Sequence, residues 1–158
     1  MYTIERSIEI DAGHRVPTHE SKCRHPHGHR YRISLTCQRL MRDLVQEGKE
    51  SGMVMDFGVI KEVMMEKIHD VYDHTFIIFQ EDPLLDTFLQ TPYDLAHVRT
   101  GLSIVPIIPT AENLAEHWYW EAAPAIGDRS NHQVSVIEIA VRETPNSIAV
   151  YRPVASHD

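Results

Sequence analysis

Three histidines and a cysteine in the first fifth of the chain have the types and spacing needed for metal and proton-transfer chemistry. His27 and His29 flank Gly28, and His14 and Cys23 precede them. Residues two apart on a strand point to the same face, about 6.6–7 Å apart along it. Three neutral imidazoles without a fourth protein ligand are typical of a catalytic zinc with a position open for water or substrate. The pattern predicts a metal site, although copper or iron could use the same ligands.

The histidines are concentrated in one part of the sequence. The chain has 11 histidines, and five of them lie within residues 14–29. Ordinary loop histidines are the alternative interpretation of such a cluster. Against it, His14 shares the parity of Ile8 and Ile10, so it extends the inward face of the first expected strand. If that strand pairs with the strand that begins near His27, the three imidazoles converge at one end of the sheet.

Cys23 lies four residues before His27, in the basic loop Lys22-Cys23-Arg24-His25. Neighbouring cations favour the thiolate, which is the form needed for nucleophilic or proton-transfer chemistry. A free cysteine is otherwise a small buried hydrophobe. That alternative suits Cys37, on the apolar face of its strand, better than Cys23 in a polar loop. With two cysteines in 158 residues, a disulfide scaffold is excluded.

Carboxylates occupy three other positions of chemical interest. Asp73 directly precedes His74, and a carboxylate beside an imidazole fixes its tautomer and raises its basicity. The alternative for this pair is a polar helix end with His74 near the C-terminal dipole. Glu112 falls in the first turn of an expected helix, where an acid is common for dipole reasons alone. Glu143 closes an expected strand, where it could be an ordinary solvated residue.

The elements that must position these residues follow from hydrophobic periodicity. Alternation of apolar and polar residues predicts strands at residues 2–10, 30–38, 134–141 and 148–151. A helix is expected after Asp56, and a second one opens at Pro109 and Thr110 and ends near Gly127.

The order of these elements, β-β-α-α-β-β, lacks the βαβ rhythm of a parallel sheet. It predicts an α+β fold in which a four-stranded antiparallel sheet carries both helices on one face. Residues 1–158 are expected to form a single domain, with an atypical, poorly patterned insertion at about residues 80–108. The open edges of such a sheet favour association with further subunits.

The net charge of the chain is −8, which disfavours a general nucleic-acid or anionic-membrane binder. The stretch from Arg15 to Arg42 is the exception, because its seven basic residues and one acid give it +6. One interpretation is a basic strand edge that prevents edge-to-edge pairing. The other is a small anionic ligand, such as a phosphorylated metabolite.

No apolar run long enough to span a bilayer and no secretory signal occurs, so a cytoplasmic protein is expected.

Taken together and in order, the motifs resemble the 6-pyruvoyltetrahydropterin synthase and 6-carboxytetrahydropterin synthase family. The motifs are Asp11-Ala12-Gly13-His14, Cys23-x-x-x-His27-Gly28-His29, Asp73-His74, Pro109-Thr110-Ala111-Glu112-Asn113-Leu114 and Arg142-Glu143-Thr144. The resemblance covers nearly the whole chain except about residues 80–108. It implies the tunnelling fold, an oligomeric barrel built from trimers stacked into hexamers, with active sites between subunits of a homo-oligomer.

The resemblance also implies a role for each site residue. The three histidines would hold Zn²⁺. Cys23 would be the general acid or base at the substrate side chain, aided by Asp73 and His74 as a relay. Glu143 would anchor the pterin ring, and two further residues would lie near the same pocket. These two are Thr110 and Glu112.

Within the family, the three residues between Cys23 and the His-Gly-His motif resemble the bacterial 6-carboxy-forming branch; pyruvoyl-forming enzymes tend to have a longer gap. The implied lyase reaction is zinc-dependent conversion of 7,8-dihydroneopterin triphosphate to 6-carboxy-5,6,7,8-tetrahydropterin, with release of acetaldehyde and triphosphate, in queuosine biosynthesis. The alternatives are a 6-pyruvoyltetrahydropterin synthase, a dihydroneopterin aldolase, or a non-catalytic zinc or pterin-binding protein on the same fold. A triphosphate substrate would also give the basic stretch a purpose.

Overall fold

A long antiparallel strand pair, β1 (Thr3–His14) and β2 (His27–Arg39), forms the centre of the fold. The structure is a computed structural model that describes residues 2–41, 43–90 and 101–154. The other elements are α1 (Phe57–Met64), β3 (Phe76–Phe79), α2 (Leu85–Leu89), β4 (Leu102–Val105), α3 (Ala111–Arg129), β5 (Val134–Thr144) and β6 (Ser147–Tyr151). Two short segments complete the list: a 3-10 turn at Lys22–Arg24, and the continuation of α1 through a π-helical turn (Met65–His69) into a last helical turn (Asp70–Tyr72).

The predicted alternation of β1 and β2 is confirmed. Ile8, Ile10 and Ala12 of β1 are buried, and so are the odd-numbered residues of β2 from Tyr31 to Cys37. The register pairs Thr3 with Gln38 at one end of the hairpin and His14 with His27 at the other. The inward rows of both strands therefore end in histidine at the same edge of the sheet.

Both long helices pack on this inward face, as the sequence predicts. Asp56 caps α1 by accepting a hydrogen bond from Gly58 N–H at 2.7 Å, and Thr110 caps α3 by accepting from Asn113 N–H at 3.3 Å. The helices contribute apolar side chains to one continuous core with the strands. Its helical members include Ile60, Val63, Met64, Ile68, Leu114, Ala115, Trp118, Ala122 and Ile126. Each large side chain buried there stabilises the fold by about 1.5–3 kcal/mol.

The sheet has six strands in the described residues, so the prediction of four antiparallel strands is wrong, although the α+β class is confirmed. The strand order is β4-β3-β1-β2-β5-β6, and β3 pairs in parallel with both β1 and β4. The missed strands are short runs, Phe-Ile-Ile-Phe and Leu-Ser-Ile-Val. Ile77 and Ile78 are adjacent and both fully buried. A strand covered on both faces lacks the alternation that marks a half-buried strand.

The interpretation of the basic stretch as edge protection is wrong as well. β2 lies between β1 and β5 and is therefore a central strand. Two of its bases have polar partners on β1: Arg30 forms two hydrogen bonds with the Asp11 carboxylate at 2.9 and 3.0 Å, and Arg32 donates to Ser7 Oγ at 3.3 Å. Arg42 lies outside the described residues. Of the two interpretations of the basic stretch, binding of a small anionic ligand is the one that the strand order does not contradict.

The stretch at about residues 80–108 contributes α2 and β4, and β4 is an edge strand of the sheet. Residues 91–100 lie outside the described residues. The prediction of one domain over residues 1–158 stays a prediction. In the part of the chain that the structure describes, no helix has the length and apolarity needed to cross a bilayer.

Candidate metal centre and active site

His14, His27 and His29 converge where β1 ends and β2 begins. One ring nitrogen from each histidine lies within 4.8 Å of the others. The ring centroids are 4.4, 5.0 and 5.2 Å apart. This proximity follows from the hairpin, because His14 faces His27 directly in the register and His29 lies two residues further on the same face.

Backbone carbonyls fix the tautomers of two of these histidines. His14 Nδ1 lies 2.7 Å from the carbonyl oxygen of Pro109, and His27 Nδ1 lies 2.8 Å from that of His25. A carbonyl oxygen only accepts, so in each ring Nδ1 carries the proton and Nε2 keeps its lone pair. Fixing the outer nitrogen in this way is the usual support for a metal-binding imidazole.

The nitrogens that face one another lack hydrogen bonds. The Nε2 atoms of His14 and His29 are buried and have no hydrogen-bond partner among the described residues. A buried polar atom left unpaired is costly, and a shared metal ion would satisfy both. The donor set and its tautomers thus fit a metal ion held by the three histidines.

Burial favours the neutral form of two of these histidines, His14 and His29. Burial lowers the pKa of His14 to about 4, against a smaller upward effect of its hydrogen bond to Pro109. Burial also lowers the pKa of His29, although the Glu143 carboxylate acts in the opposite direction. Glu143 Oε1 lies 3.5 Å from His14 Nε2 and 3.9 Å from His29 Nε2. These contacts are not ion pairs at neutral pH, because the imidazoles are uncharged and available as ligands.

Tyr31 supports the cluster from the core. Its ring makes edge-on contacts with His14 and His29, with centroids 5.8 and 5.6 Å away. The tyrosine is fully buried and packs edge-on against Trp118 of α3. Packing against Tyr31 thus limits the rotation of the His14 and His29 imidazoles.

A cavity of about 230 Å³ opens beside the histidines. Cys23 lines it from the 3-10 turn of the loop between β1 and β2, and its carbonyl accepts a hydrogen bond from Val16 N–H at 2.9 Å. The structure brings the other expected residues of the pocket to this cavity as well. They are His14, His27, Thr110, Glu112 and Glu143.

Asp73 and His74 lie elsewhere. They follow the last turn of the α1 segment, and His74 adopts a left-handed backbone conformation with φ of 58°. His74 lines a separate cleft of about 620 Å³ together with Asp11, Arg30 and one of the three clustered histidines, His29. Asp11 and Arg30 lie on the sheet face opposite the three histidines, since their parity differs. Within one chain, the structure does not bring this pair into the Cys23 cavity.

The Asp73–His74 pair is nevertheless well organised. His74 Nδ1–H donates to Asp73 Oδ2 at 2.7 Å, and Asp11 N–H donates to Asp73 Oδ1 at 2.8 Å. Partial burial raises the pKa of Asp73, but these hydrogen bonds and the His74 charge outweigh it, so the pKa lies below its ordinary value. The carboxylate stays ionised and orients the imidazole.

Sequence reasoning missed three contributors to these sites. Pro109 supplies a carbonyl to His14, and Asp11 supplies a backbone N–H to Asp73. His19 lines the Cys23 cavity. For His19, the signal in the sequence was its place among the five histidines of residues 14–29. The other two act through backbone atoms, whose partners depend on tertiary contacts.

Comparison with known proteins finds relatives that are named as tetrahydropterin synthases. A sequence model of the family described as 6-pyruvoyl tetrahydropterin synthase matches residues 3–154. A 6-carboxy-5,6,7,8-tetrahydropterin synthase of Rickettsia bellii is 34% identical over 146 residues, 92% of this chain and 96% of that protein. The protein of that name from Haemophilus influenzae is 29% identical over 157 residues, 96% and 99% of the two chains.

Two solved structures share the fold. An uncharacterized protein of Wolinella succinogenes superposes with a TM-score of 0.81 at 24% identity, covering 97% of this chain and 98% of that one. The 6-pyruvoyl tetrahydropterin synthase of Caenorhabditis elegans superposes with a TM-score of 0.61 at 22% identity, covering 97% and 96%.

Proposed function

The chain belongs to the 6-pyruvoyl tetrahydropterin synthase family, and on that premise we propose that it is a zinc-dependent 6-carboxytetrahydropterin synthase. The reaction converts 7,8-dihydroneopterin triphosphate to 6-carboxy-5,6,7,8-tetrahydropterin, acetaldehyde and triphosphate, a cytoplasmic step of queuosine biosynthesis. One observation carries the proposal: three histidines converge within 4.8 Å of one another, and two of them, His14 and His27, line the same cavity as the free Cys23. The names of the relatives and the short Cys23–His27 spacing favour the carboxy product over the pyruvoyl product.

The three histidines are the proposed zinc ligands. A zinc ion bound there would act as a Lewis acid toward the side-chain hydroxyls of the substrate. The protein's part is to hold the imidazoles neutral and oriented through the carbonyls of Pro109 and His25.

Cys23 is the proposed general acid or base, because it lines the same cavity as His14 and His27. The Glu143 carboxylate lines the same cavity and could accept two N–H bonds from the edge of a pterin ring. Thr110 and Glu112 lie at the start of α3 on the cavity wall and are the proposed neighbours of the bound ring. A binding protein without catalysis has no need of the thiol, which favours an enzyme.

The Asp73–His74 relay requires a second subunit in this proposal. The pair lines a different cleft from Cys23 within one chain, so a proton could pass between them only if subunits meet at these two clefts. Association is also favoured by the free edges of the sheet. The edge strands β4 and β6 expose Ile104, Ile148 and Val150, a composition suited to burial between subunits. Trimers stacked into hexamers are the proposed assembly.

The test is to incubate the zinc-loaded protein with 7,8-dihydroneopterin triphosphate and identify products by mass spectrometry. The expected products are 6-carboxytetrahydropterin and acetaldehyde. A pyruvoyl product would replace the proposed reaction by that of the sister branch. Absence of turnover by assembled, zinc-loaded protein would reject the proposal and favour a binding role.

A further inference from the structure

The loop between β1 and β2 carries a histidine that the proposed function leaves without a role. His19 lines the cavity that also contains Cys23 and His27. The loop holds its own shape: Val16 N–H donates to the carbonyl of Cys23 at 2.9 Å, and His19 N–H donates to the carbonyl of Val16 at 3.1 Å. His19 is therefore presented by an ordered turn.

The contacts of the His19 ring determine its tautomer. Ser21 N–H lies 3.0 Å from His19 Nδ1, and Ser21 Oγ lies 2.8 Å from the same nitrogen. A backbone N–H only donates, so Nδ1 accepts and the ring proton of the neutral imidazole sits on Nε2. Nε2 makes no hydrogen bond to another described residue. The ring thus has a fixed, unused donor on a side chain of the cavity wall.

The surroundings of this donor favour an anionic oxygen as its acceptor. Lys22 and Arg24 flank Cys23 on the same loop, and both are exposed. Ala111, in the first turn of α3, lines the cavity, and the first N–H groups of a helix attract anions. The carboxylates of Glu112 and Glu143 also line the cavity; they accept hydrogen bonds and so suit N–H groups of a ligand. A substrate with a pterin at one end and phosphates at the other offers both kinds of group.

We infer that His19 is a substrate-binding residue whose Nε2–H donates a hydrogen bond to a phosphate oxygen of the substrate. The inference rests on the proposed function, because that function supplies the triphosphate. It assigns His19 to binding of the leaving group and gives it no part in the proton transfers of Cys23.

Two substitutions distinguish phosphate binding by His19 from a purely structural role of His19 in the loop. In His19→Gln, the side-chain amide N–H can take the place of Nε2–H, while the Nδ1 acceptor is lost. In His19→Asn, the shorter amide oxygen can still accept from Ser21 N–H, as in an Asx turn, while the outer donor is lost.

The affinity of zinc-loaded protein for inorganic triphosphate is measured by calorimetry, with zinc content checked afterwards because triphosphate chelates zinc. Binding of 7,8-dihydroneopterin, which lacks phosphate, is the control ligand.

The expected result is that His19→Asn weakens triphosphate binding about tenfold or more, the loss of a hydrogen bond to a charged group, while His19→Gln stays within about threefold of the wild type. Dihydroneopterin should bind all three proteins alike. In turnover, His19→Asn should raise KM with kcat nearly unchanged. The opposite order of the two variants, equal losses in both, or no change in either would overturn the inference.

Two readouts keep this inference separate from the proposed function. Imidazole ¹⁵N shifts report the tautomer directly, and a proton on Nδ1 of His19 would overturn the inference whatever the enzyme does. If the wild type fails to turn over dihydroneopterin triphosphate but the Asn and Gln variants differ as expected in triphosphate binding, the proposed reaction fails and the phosphate site stands. Normal turnover without that difference rejects the phosphate site alone.

Discussion

The two clefts of this chain differ in how complete they are. The cavity beside the three histidines has two of them on its wall, His14 and His27, whose tautomers are set by carbonyls, together with a thiol and two carboxylates. The cleft at Asp73 and His74 has an organised hydrogen bond between a carboxylate and an imidazole, but the His74 side chain is 78% exposed and no thiol lines the cleft. The histidine cluster, which lies between the two clefts, has the groups to bind a metal within one chain. The second cleft presents an exposed imidazole, held by Asp73, that is accessible to a ligand or to a group from another subunit.

The largest effect that sharpens this comparison is loss of metal. His27→Ala removes one of the three proposed ligands, so we expect zinc content measured by mass spectrometry to fall from stoichiometric to residual. His25→Ala is the matched control, since His25 is exposed in the same loop and only its backbone carbonyl contacts the site. Full zinc content in His27→Ala would refute the metal assignment.

The next effect concerns chemistry without loss of metal. Cys23→Ala should keep zinc and assembly but lower kcat by about 10²–10⁴, the usual contribution of a general acid or base. Cys37→Ala is the control: burial raises the pKa of that thiol to about 12 and excludes it from proton transfer at neutral pH. It should retain kcat and lose some thermal stability. Normal turnover by Cys23→Ala would remove Cys23 from the mechanism.

A mixing experiment tests whether the two clefts work together across subunits. His74→Ala alone should lower kcat, because the imidazole held by Asp73 is lost. When the inactive Cys23→Ala and His74→Ala proteins are unfolded together and reassembled, some sites receive an intact thiol and an intact imidazole from different chains. Activity should then reappear. If each site used a single chain, the mixture would stay as inactive as its parents, and the shared-site proposal would be wrong.

A smaller effect is the pH dependence of stability that the buried His14 should cause. The pKa of His14 is about 4 in the folded chain against an ordinary value of 6.5, so between these values the unfolded chain binds more protons. The stability of zinc-free protein should therefore be full above pH 6.5 and decline as the pH falls toward 4, by about 3 kcal/mol at most. Urea midpoints across this range measure the decline. In His14→Asn, whose amide N–H can still donate to Pro109, the slope should flatten; an unchanged slope would assign the effect to other groups.

The sequence allowed much of the first cleft to be predicted and little of the second. Alternation in β1 and β2 is a local property, and once the strands pair, the parity of His14, His27 and His29 brings the imidazoles together. The position of Asp73 and His74 depends on β3, a short buried strand with no periodic signal. The bond from His14 to Pro109 joins residues 95 apart in sequence. No local pattern predicts it.

The π-helical turn at Met65–His69 controls where Asp73 and His74 point. Such a turn holds one residue more than an α-helical turn, and the pair begins four residues after it. Winding the same five residues as an uninterrupted α-helix would give better local hydrogen bonds. It would also rotate everything that follows by about 100° around the helix axis, carrying the Asp73 carboxylate away from Asp11 N–H. The width of this one turn therefore sets the direction of the pair, and a regular, locally more stable helix would misplace it.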